Sequence, residues 1–148
     1  MNVEALIKTK TKVPIGSRTI IHLTMVSNKI NESITTVLKP YEVSLQQFNV
    51  LRILRGQKGT PANLSTLNER MVTKMSNTTR LVDKLISKGL VKRNICETNR
   101  RKVEIFITEK GLKTLSKMDK AVTKAENEII AGFSENELKQ LNAVLDKF

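Results

Sequence analysis

The segment spanning residues 71–94, MVTKMSNTTRLVDKLISKGLVKRN, combines short polar side chains and cations at helical spacing. Hydroxyl and amide groups next to long cations can reach both base edges and phosphates. The polar side of a helix here would carry Ser76, Asn77, Thr79, Arg80, Asp83 and Lys84. The opposite side would carry Met75, Leu81, Val82, Leu85 and Ile86, and Gly89 would close the helix in a left-handed cap. The pattern predicts one short helix with a buried side and a side suited to nucleic acid.

The net charge of +12 is concentrated around this helix. Residues 72–102 contain nine Lys and Arg and two acids, a net of +7, whereas residues 112–148 contain six Lys and six acids. Release of counterions from a polyanion would therefore supply affinity in the central segment. Charge alone fits equally well with a basic surface that only aids solubility.

A second cationic group follows, in the sequence CETNRRK. On either side of it, residues 90–94 and 102–108 have the composition and alternation of two β-strands, which predicts a hairpin. Arg100, Arg101 and Lys102 would lie at or beside its tip, from which adjacent cations can follow a phosphate backbone or enter a minor groove. A basic loop that only faces solvent is the alternative.

The elements before this segment form a helical frame. Apolar residues at spacings of three and four predict a long helix over 17–38, ended by Lys39 and Pro40. Ser44 and Gln47 form a capping-box pattern for a helix to about Leu54, followed by a turn over 55–59. A short helix over 62–70 then leads into the cationic one. Two short helices joined by a tight turn are typical of a helix-turn-helix.

Two further helices follow the hairpin. Thr108 is the expected cap of a helix from 109 to about 131, whose seam is Leu115, Met118, Val122, Ala125 and Ile129. A last helix begins at Ser134 with a second capping box and carries Leu138, Leu141, Leu145 and Phe148 on one side. We expect the seams of the N-terminal helix and these two helices to pack between two copies of the chain, giving a homodimer.

Residues suited to catalysis or metal binding are few. The sequence has no glycine-rich phosphate loop, no Cys or His metal-ligand spacing and no nucleophile elbow, which argues against an enzyme, a metal site or a cofactor. His22 lies in the first long helix without a neighbouring ligand cluster, so a metal role is not expected, and ligand sensing is a minor alternative. Cys96 near the hairpin tip is either a redox-sensitive thiol in a cationic setting or an incidental cysteine.

Composition sets the remaining expectations. At 148 residues the chain fits a single domain, and residues 1–14 look like an irregular basic arm. No apolar run approaches the roughly 20 residues that span a bilayer, and the N-terminal residues lack the pattern of a signal peptide. The expectation is a cytoplasmic protein that does not associate with membranes.

The motifs LQQFNVLRIL, LNERM, SNTTRLVDKLISKGLVKRN and NRRKVEIFITEKG, in this order and spacing, resemble the MarR family of winged helix-turn-helix transcription regulators. The resemblance covers 41–112 in motif detail and the rest in helix pattern. It implies a mainly α fold with a small β-hairpin wing, in which about 41–110 form the DNA-binding module. About 15–39 and 111–148 would then form the dimerisation helices of a single MarR-like domain over 1–148.

The resemblance also implies roles for particular residues. Family members insert the helix that corresponds to 74–88 into the major groove of double-stranded DNA. The candidates for contact are therefore Lys74, Ser76, Asn77, Thr79, Arg80 and Lys84, with Arg100, Arg101 and Lys102 on the wing. The family usually has an aspartate at the position of Asn99, where it pairs with the wing arginine, here Arg101. Without that carboxylate the arginine should be held less firmly.

Several alternatives accompany this assignment. Ser76 and Asn77 could simply cap the helix start, and Asp83 is expected to pair with Arg80 or Lys84, while Thr78 is expected to be packed. The implied function is a repressor that binds a pseudo-palindromic operator as a dimer and is released by a small ligand. A protein without any effector is the alternative. The competing function class is a protein-interaction scaffold whose basic face meets an acidic partner.

Overall fold

The computed structural model describes residues 2–72, 77–96 and 99–148, and for residues 95, 96 and 99–102 it describes the backbone alone. The described elements are helices with one antiparallel hairpin, which confirms the predicted fold class. They are α1 (Val3–Leu6), α2 (Ile15–Leu38), a 3-10 turn (Lys39–Tyr41), α3 (Leu45–Gly56), α4 (Leu64–Arg70), α5 (Thr78–Ser87), β1 (Val91–Cys96), β2 (Asn99–Ile107), α6 (Glu109–Ile130) and α7 (Glu135–Leu145).

The chain forms two compact units. One contains the described residues of 1–34 together with 124–148, and the other contains 35–123. The second unit holds α3, α4, α5 and the hairpin, and α3 packs against α4, α5 and β2. Its core is built from apolar side chains that are at most 5% exposed, among them Phe48, Leu51, Leu54, Leu67, Met71, Val82, Leu85, Leu90, Val91 and Ile105.

The N-terminal arm is more ordered than predicted. Residues 3–6 form α1, and the side chain of Asn2 caps it by accepting from the amide of Ala5. Val3 is completely buried, and Arg18 donates to Glu4 at 2.9 Å. The pKa of Glu4 is lowered, first by a backbone hydrogen bond and then by Arg18. The expectation of an irregular arm missed α1 because four residues are too few to show a helical repeat.

The helix α3 begins as the sequence predicts. The Ser44 hydroxyl accepts from the Gln47 amide at 3.2 Å, and the Gln47 side chain accepts from the Ser44 amide at 3.0 Å, so the capping box is complete. Phe48, Leu51 and Leu54 are buried, as expected. The helix continues two residues beyond Leu54, so the turn is shorter than the predicted 55–59.

The helix α4 begins at Leu64 rather than at the predicted Ala62. Ala62 instead exchanges two backbone hydrogen bonds with Ile105 of β2, at 3.0 and 2.8 Å. Asn63 then caps the helix by accepting from the Thr66 amide at 2.8 Å. The bridge depends on a partner more than forty residues away, which local patterning could not indicate.

The end of α5 is joined to the start of α6 by short contacts. Gly89 has φ +70°, which confirms the left-handed cap. Thr108 accepts from the Gly111 amide at 3.0 Å, as the predicted cap of α6, and its hydroxyl donates to the Gly89 carbonyl at 2.7 Å. A Cβ on Gly111 would overlap the carbonyl oxygen of Leu90, so the ITEKG motif needs glycine at its last position for close packing.

The hairpin pairs Val91 with Ile107 and continues in register to Ile95 and Val103. The register then shifts, because Cys96 pairs with Asn99 and three residues of β2, 100–102, lie between these two pairs. Most of CETNRRK therefore belongs to the strands, which corrects the prediction of a loop between 94 and 102. The polar composition suggested a loop, whereas the pairing with its register shift keeps most of the segment within the strands.

The helices α6 and α7 differ in how they use their apolar sides. Leu115, Met118, Val122 and Ala125 are all between 0 and 4% exposed in the single chain. The expectation that this seam packs between two copies is therefore wrong for these four residues, which are already covered, while Ile129, the fifth residue of the predicted seam, is half-buried. The helix α7 buries no residue, and Leu141, Leu145 and Phe148 are 44%, 39% and 82% exposed.

Candidate nucleic-acid interface

The helix α5 has a buried and an exposed side as predicted, although Leu81 and Ile86 of the predicted apolar side are only half-buried. Val82 and Leu85 are 1% and 0% exposed, whereas Asn77, Thr79, Arg80, Asp83 and Lys84 all face solvent. None of the described carboxylates lies within 4.0 Å of the Arg80 guanidinium or the Lys84 ammonium. Both cations are therefore exposed and uncompensated by the described part of the chain.

Thr78 fixes the first turn of α5 against α4. It is 4% exposed, and its hydroxyl donates to the Asn68 side-chain oxygen. The prediction that Thr78 is packed is confirmed. A buried hydroxyl with a single partner on another helix constrains the angle between the two helices, because breaking the bond would leave the buried Thr78 hydroxyl unsatisfied.

Asn77 occupies the N-cap position of α5 without a side-chain capping bond. The capping alternative is therefore not seen for Asn77, whose exposed amide is free of that bond and can present both a donor and an acceptor. An amide with this freedom suits an adenine edge.

Asp83 pairs with Arg93 of β1 at 3.2 Å. The prediction that it pairs with Arg80 or Lys84 is therefore wrong. Both side chains are about half exposed, so the pair contributes little to stability. It nevertheless joins the cationic helix to the first strand of the hairpin. It also places a cation next to the one carboxylate of the α5 polar side, which reduces repulsion of an approaching phosphate.

The C-terminal end of α5 is held by two lysines. Lys88 donates to the Glu42 carbonyl oxygen at 2.7 Å and lies 3.3 Å from its carboxylate. Lys110 donates to the Lys88 carbonyl oxygen at 2.8 Å. Cations at this end also complement the negative end of the helix dipole. Together with the hydrogen bond from Thr78 to Asn68, these contacts hold both ends of α5.

Some of the predicted site residues cannot be placed. Lys74 and Ser76 lie outside the described residues, as does Met75 of the predicted apolar side. Arg100, Arg101 and Lys102 are placed in the backbone of β2, in the stretch where the register shifts, and their side chains lie outside the description together with that of Cys96. In the described part of the chain, no three His, Cys, Asp or Glu side chains form a group that could hold a metal ion.

Sequence reasoning missed three arginines as candidate functional residues. Arg93 reaches α5, and Arg52 and Arg70 line a groove beside α3 and α4. The alternation of side chains along a strand could have indicated Arg93, because it lies two residues after Val91 and therefore on the same side of β1. Arg52 and Arg70 are eighteen residues apart and only the tertiary structure places them along one groove.

Comparison with known proteins agrees with this geometry. The sequence model of the MarR family matches residues 43–103, which include α3, α4, α5 and most of the hairpin. The chain is 30% identical over 128 residues to the HTH-type transcriptional regulator PecS of Dickeya dadantii strain 3937, covering 84% of this chain and 76% of PecS. This chain belongs to the MarR family. It is a DNA-binding transcription regulator and not an enzyme.

Solved structures of MarR-type proteins share the fold of this family member. A MarR-like transcription regulator from Bacillus cereus ATCC 10987 superposes with a TM-score of 0.80 at 21% identity, over 90% of this chain and 96% of that one. The organohalide-sensing regulator RdhR-CbdbA1625, in its 2,4-dichlorophenol-bound form, has a TM-score of 0.83 at 20% identity, over 92% and 80%. The predicted MarR-type winged helix fold is confirmed. None of the helices in the described ranges is long and apolar enough to cross a membrane.

Proposed function

We propose that this MarR-family protein is a repressor that binds a pseudo-palindromic operator as a homodimer and is released by a small ligand. The observation that carries the proposal is the exposed side of α5, where Arg80 and Lys84 lack described carboxylate partners and Asn77 has no capping bond. Each copy places α5 in one major groove, with half-site centres about 10 base pairs apart.

The roles follow from the side-chain chemistry. Arg80 offers two parallel donors that match the O6 and N7 acceptors of guanine, and Asn77 matches adenine. Thr79 can donate to or accept from a base edge, and Lys84 can bind a phosphate. Lys74 and Ser76 are the further proposed contacts. Arg100, Arg101 and Lys102 follow the neighbouring backbone from the wing.

The proposed domain roles keep the sequence boundaries, with one change. About 41–110 form the DNA-binding module, and about 15–39 and 111–148 form the dimerisation helices of one domain. Burial of the α6 seam restricts the interface to the remaining apolar surface, such as Leu141 and Leu145 on α7 and Ile20, which is 57% exposed, on α2. A regulator of this kind would work in the cytoplasm.

The proposed release by ligand has support from a relative. RdhR-CbdbA1625 has been solved with 2,4-dichlorophenol bound and without it. A small effector of this chain would act by shifting the dimer away from the spacing that the operator requires.

The first test is selection of bound sequences from a random duplex pool at about 150 mM salt, which suppresses purely non-specific phosphate binding. We expect an inverted repeat. The Arg80→Ala variant should then lose about 5- to 150-fold in affinity and should select more weakly at one position of each half-site.

The matched control is Lys120→Ala, which removes one exposed charge from α6. Lys120 lies about 16 Å along this helix from its first residue, Glu109. It should leave operator affinity within about twofold, because Lys120 lies on α6 and not on the exposed side of α5. Equal losses in both variants, or no inverted repeat in the selection, would contradict operator recognition by α5 and favour a scaffold with an acidic partner.

A further inference from the structure

A groove of about 340 Å³ opens beside the helix-turn-helix, and its charge and shape suit a small anion. We call it the arginine groove. Its lining residues are Asn49, Arg52 and Ile53 of α3, Arg70 at the end of α4, and Val72. The volume lies at the lower end of the range of about 300–1,000 Å³ in which proteins bind small molecules.

The two arginines of the arginine groove have no carboxylate partner among the described residues. Six arginine side chains are described, and Arg18, Arg55 and Arg93 each form an ion pair with a carboxylate. Arg52 and Arg70 have no described carboxylate within 4.0 Å. Two uncompensated guanidinium groups along one concave surface favour an anion between them, because the planar donors of arginine match an oxyanion.

Arg52 is also held in place. Its guanidinium carbon lies 5.6 Å from the centroid of the Phe48 ring, and Phe48 is only 2% exposed. Stacking on a buried ring reduces the conformational freedom that binding would otherwise remove. The guanidinium is therefore partly positioned before any ligand arrives.

The rest of the groove is aliphatic. Ile53 is half-buried, and Val72 is 90% exposed, the highest exposure of any large apolar side chain described. A bare phosphate would gain nothing from these surfaces, whereas the hydrocarbon part of an organic anion would cover them and gain hydrophobic free energy. The Asn49 amide can donate to the same oxyanion.

We propose that the arginine groove binds a small organic monoanion, with its carboxylate between Arg52 and Arg70 and its aliphatic part against Ile53 and Val72. Val72 lies six residues before α5 begins, so a ligand here contacts the chain close in sequence to the cationic helix. The regulatory consequence, weaker operator binding, rests on the proposed function. Binding of the anion to the free protein does not.

The binding test is titration of the isotope-labelled protein with hexanoate, followed by NMR. We expect saturable shifts of the Arg52 and Arg70 Nε–H signals and of the Ile53 and Val72 methyl signals. 1-Hexanol, which lacks the charge, and inorganic phosphate, which lacks the hydrocarbon, should each bind at least tenfold more weakly.

Variants assign the binding to the groove. The double substitution Arg52→Gln and Arg70→Gln should weaken hexanoate binding at least tenfold, while Lys120→Gln should not change it. Both arginines are exposed, so the fold should survive, and the pair Arg52→Lys and Arg70→Lys keeps the charge if the first pair is unstable. Absence of saturable shifts, or phosphate binding as tight as hexanoate binding, would overturn the organic-anion site.

A DNA phosphate is the other source of an oxyanion for this groove. Operator binding by the double variant distinguishes a DNA phosphate from a small ligand. If the groove is a ligand site, the double variant binds operator within about twofold of the wild type, and hexanoate weakens operator binding only in the wild type. A tenfold loss without ligand, with a salt slope reduced by about 0.9 for each lost phosphate, would assign the groove to DNA instead. A protein that binds hexanoate but no operator would refute the proposed function and leave the ligand site standing.

Discussion

The helices α5 and α7 are similar in length and both are amphipathic, yet they are stabilised in different ways. The helix α5 has no side-chain cap, but it buries Thr78, Val82 and Leu85. The helix α7 has a complete capping box and buries none of its residues. Tertiary packing therefore determines how α5 is oriented. The helix α7 is stabilised by its own capping box and leaves its apolar side exposed. A helix of the first kind can present a polar surface in a fixed orientation, and one of the second kind can present an apolar surface to another chain.

The largest expected effect is on the packing of α5. Leu85→Ala should lower the free energy of unfolding by about 2–5 kcal/mol, because it removes a fully buried side chain and leaves a cavity. Urea denaturation followed by circular dichroism measures this loss. Lys84→Ala, on the exposed side of the same helix, should change stability by less than about 0.5 kcal/mol. Similar losses in the two variants would show that α5 does not depend on its buried side.

The apolar side of α7 should matter for association and not for the fold of one chain. Leu141→Asp combined with Leu145→Asp should weaken self-association at least about tenfold, or about 1.4 kcal/mol, because charges would enter the proposed dimer interface. Sedimentation equilibrium across micromolar concentrations measures it. Gln140→Asp, on an exposed residue of the same helix, is the matched control. A dimer unaffected by the double substitution would place the interface elsewhere.

The smallest effect concerns the helix starts. Ser134→Ala should cost about 1 kcal/mol of helix stability, because the hydroxyl accepts from the Glu137 amide at 3.3 Å. Asn77→Ala should cost much less, because its side chain makes no capping bond. Hydrogen exchange of the amides in the first turns of α7 and α5 compares the two sites. Equal losses of protection would mean that Asn77 also caps its helix in solution.

The pKa of Glu137 is part of the same contrast. Hydrogen bonds from the Ser134 backbone amide, and then from its hydroxyl, lower this pKa. A lowered pKa in the folded chain means that the stabilisation is complete above the ordinary pKa of glutamate and is lost as pH falls through the lowered value. Acidification should therefore loosen the start of α7 before it affects α5, which has no acidic residue in its first turn.

Much of the site was predictable because its signals are local. The alternation of Val82 and Leu85 with Arg80 and Lys84 depends only on the helical repeat, so the buried and exposed sides of α5 were predicted correctly. The capping boxes at Ser44 and Ser134 were predicted correctly for the same reason. The partner of Asp83 was predicted wrongly. The prediction considered only neighbours on the same helix, whereas the structure pairs Asp83 with Arg93 of β1.

The sequence alone determined the kinds of elements, their order, and which side of each helix is apolar, because these follow from side-chain periodicity and capping within a few residues. Only the tertiary structure decided which apolar sides are covered within the chain, as for Leu115 and Met118 on α6, and which stay exposed, as on α7. It also decided that Arg52 and Arg70 line one groove and that Ala62 pairs with Ile105. Contacts between residues distant in the chain depend on how elements pack, and local periodicity carries no information about that packing.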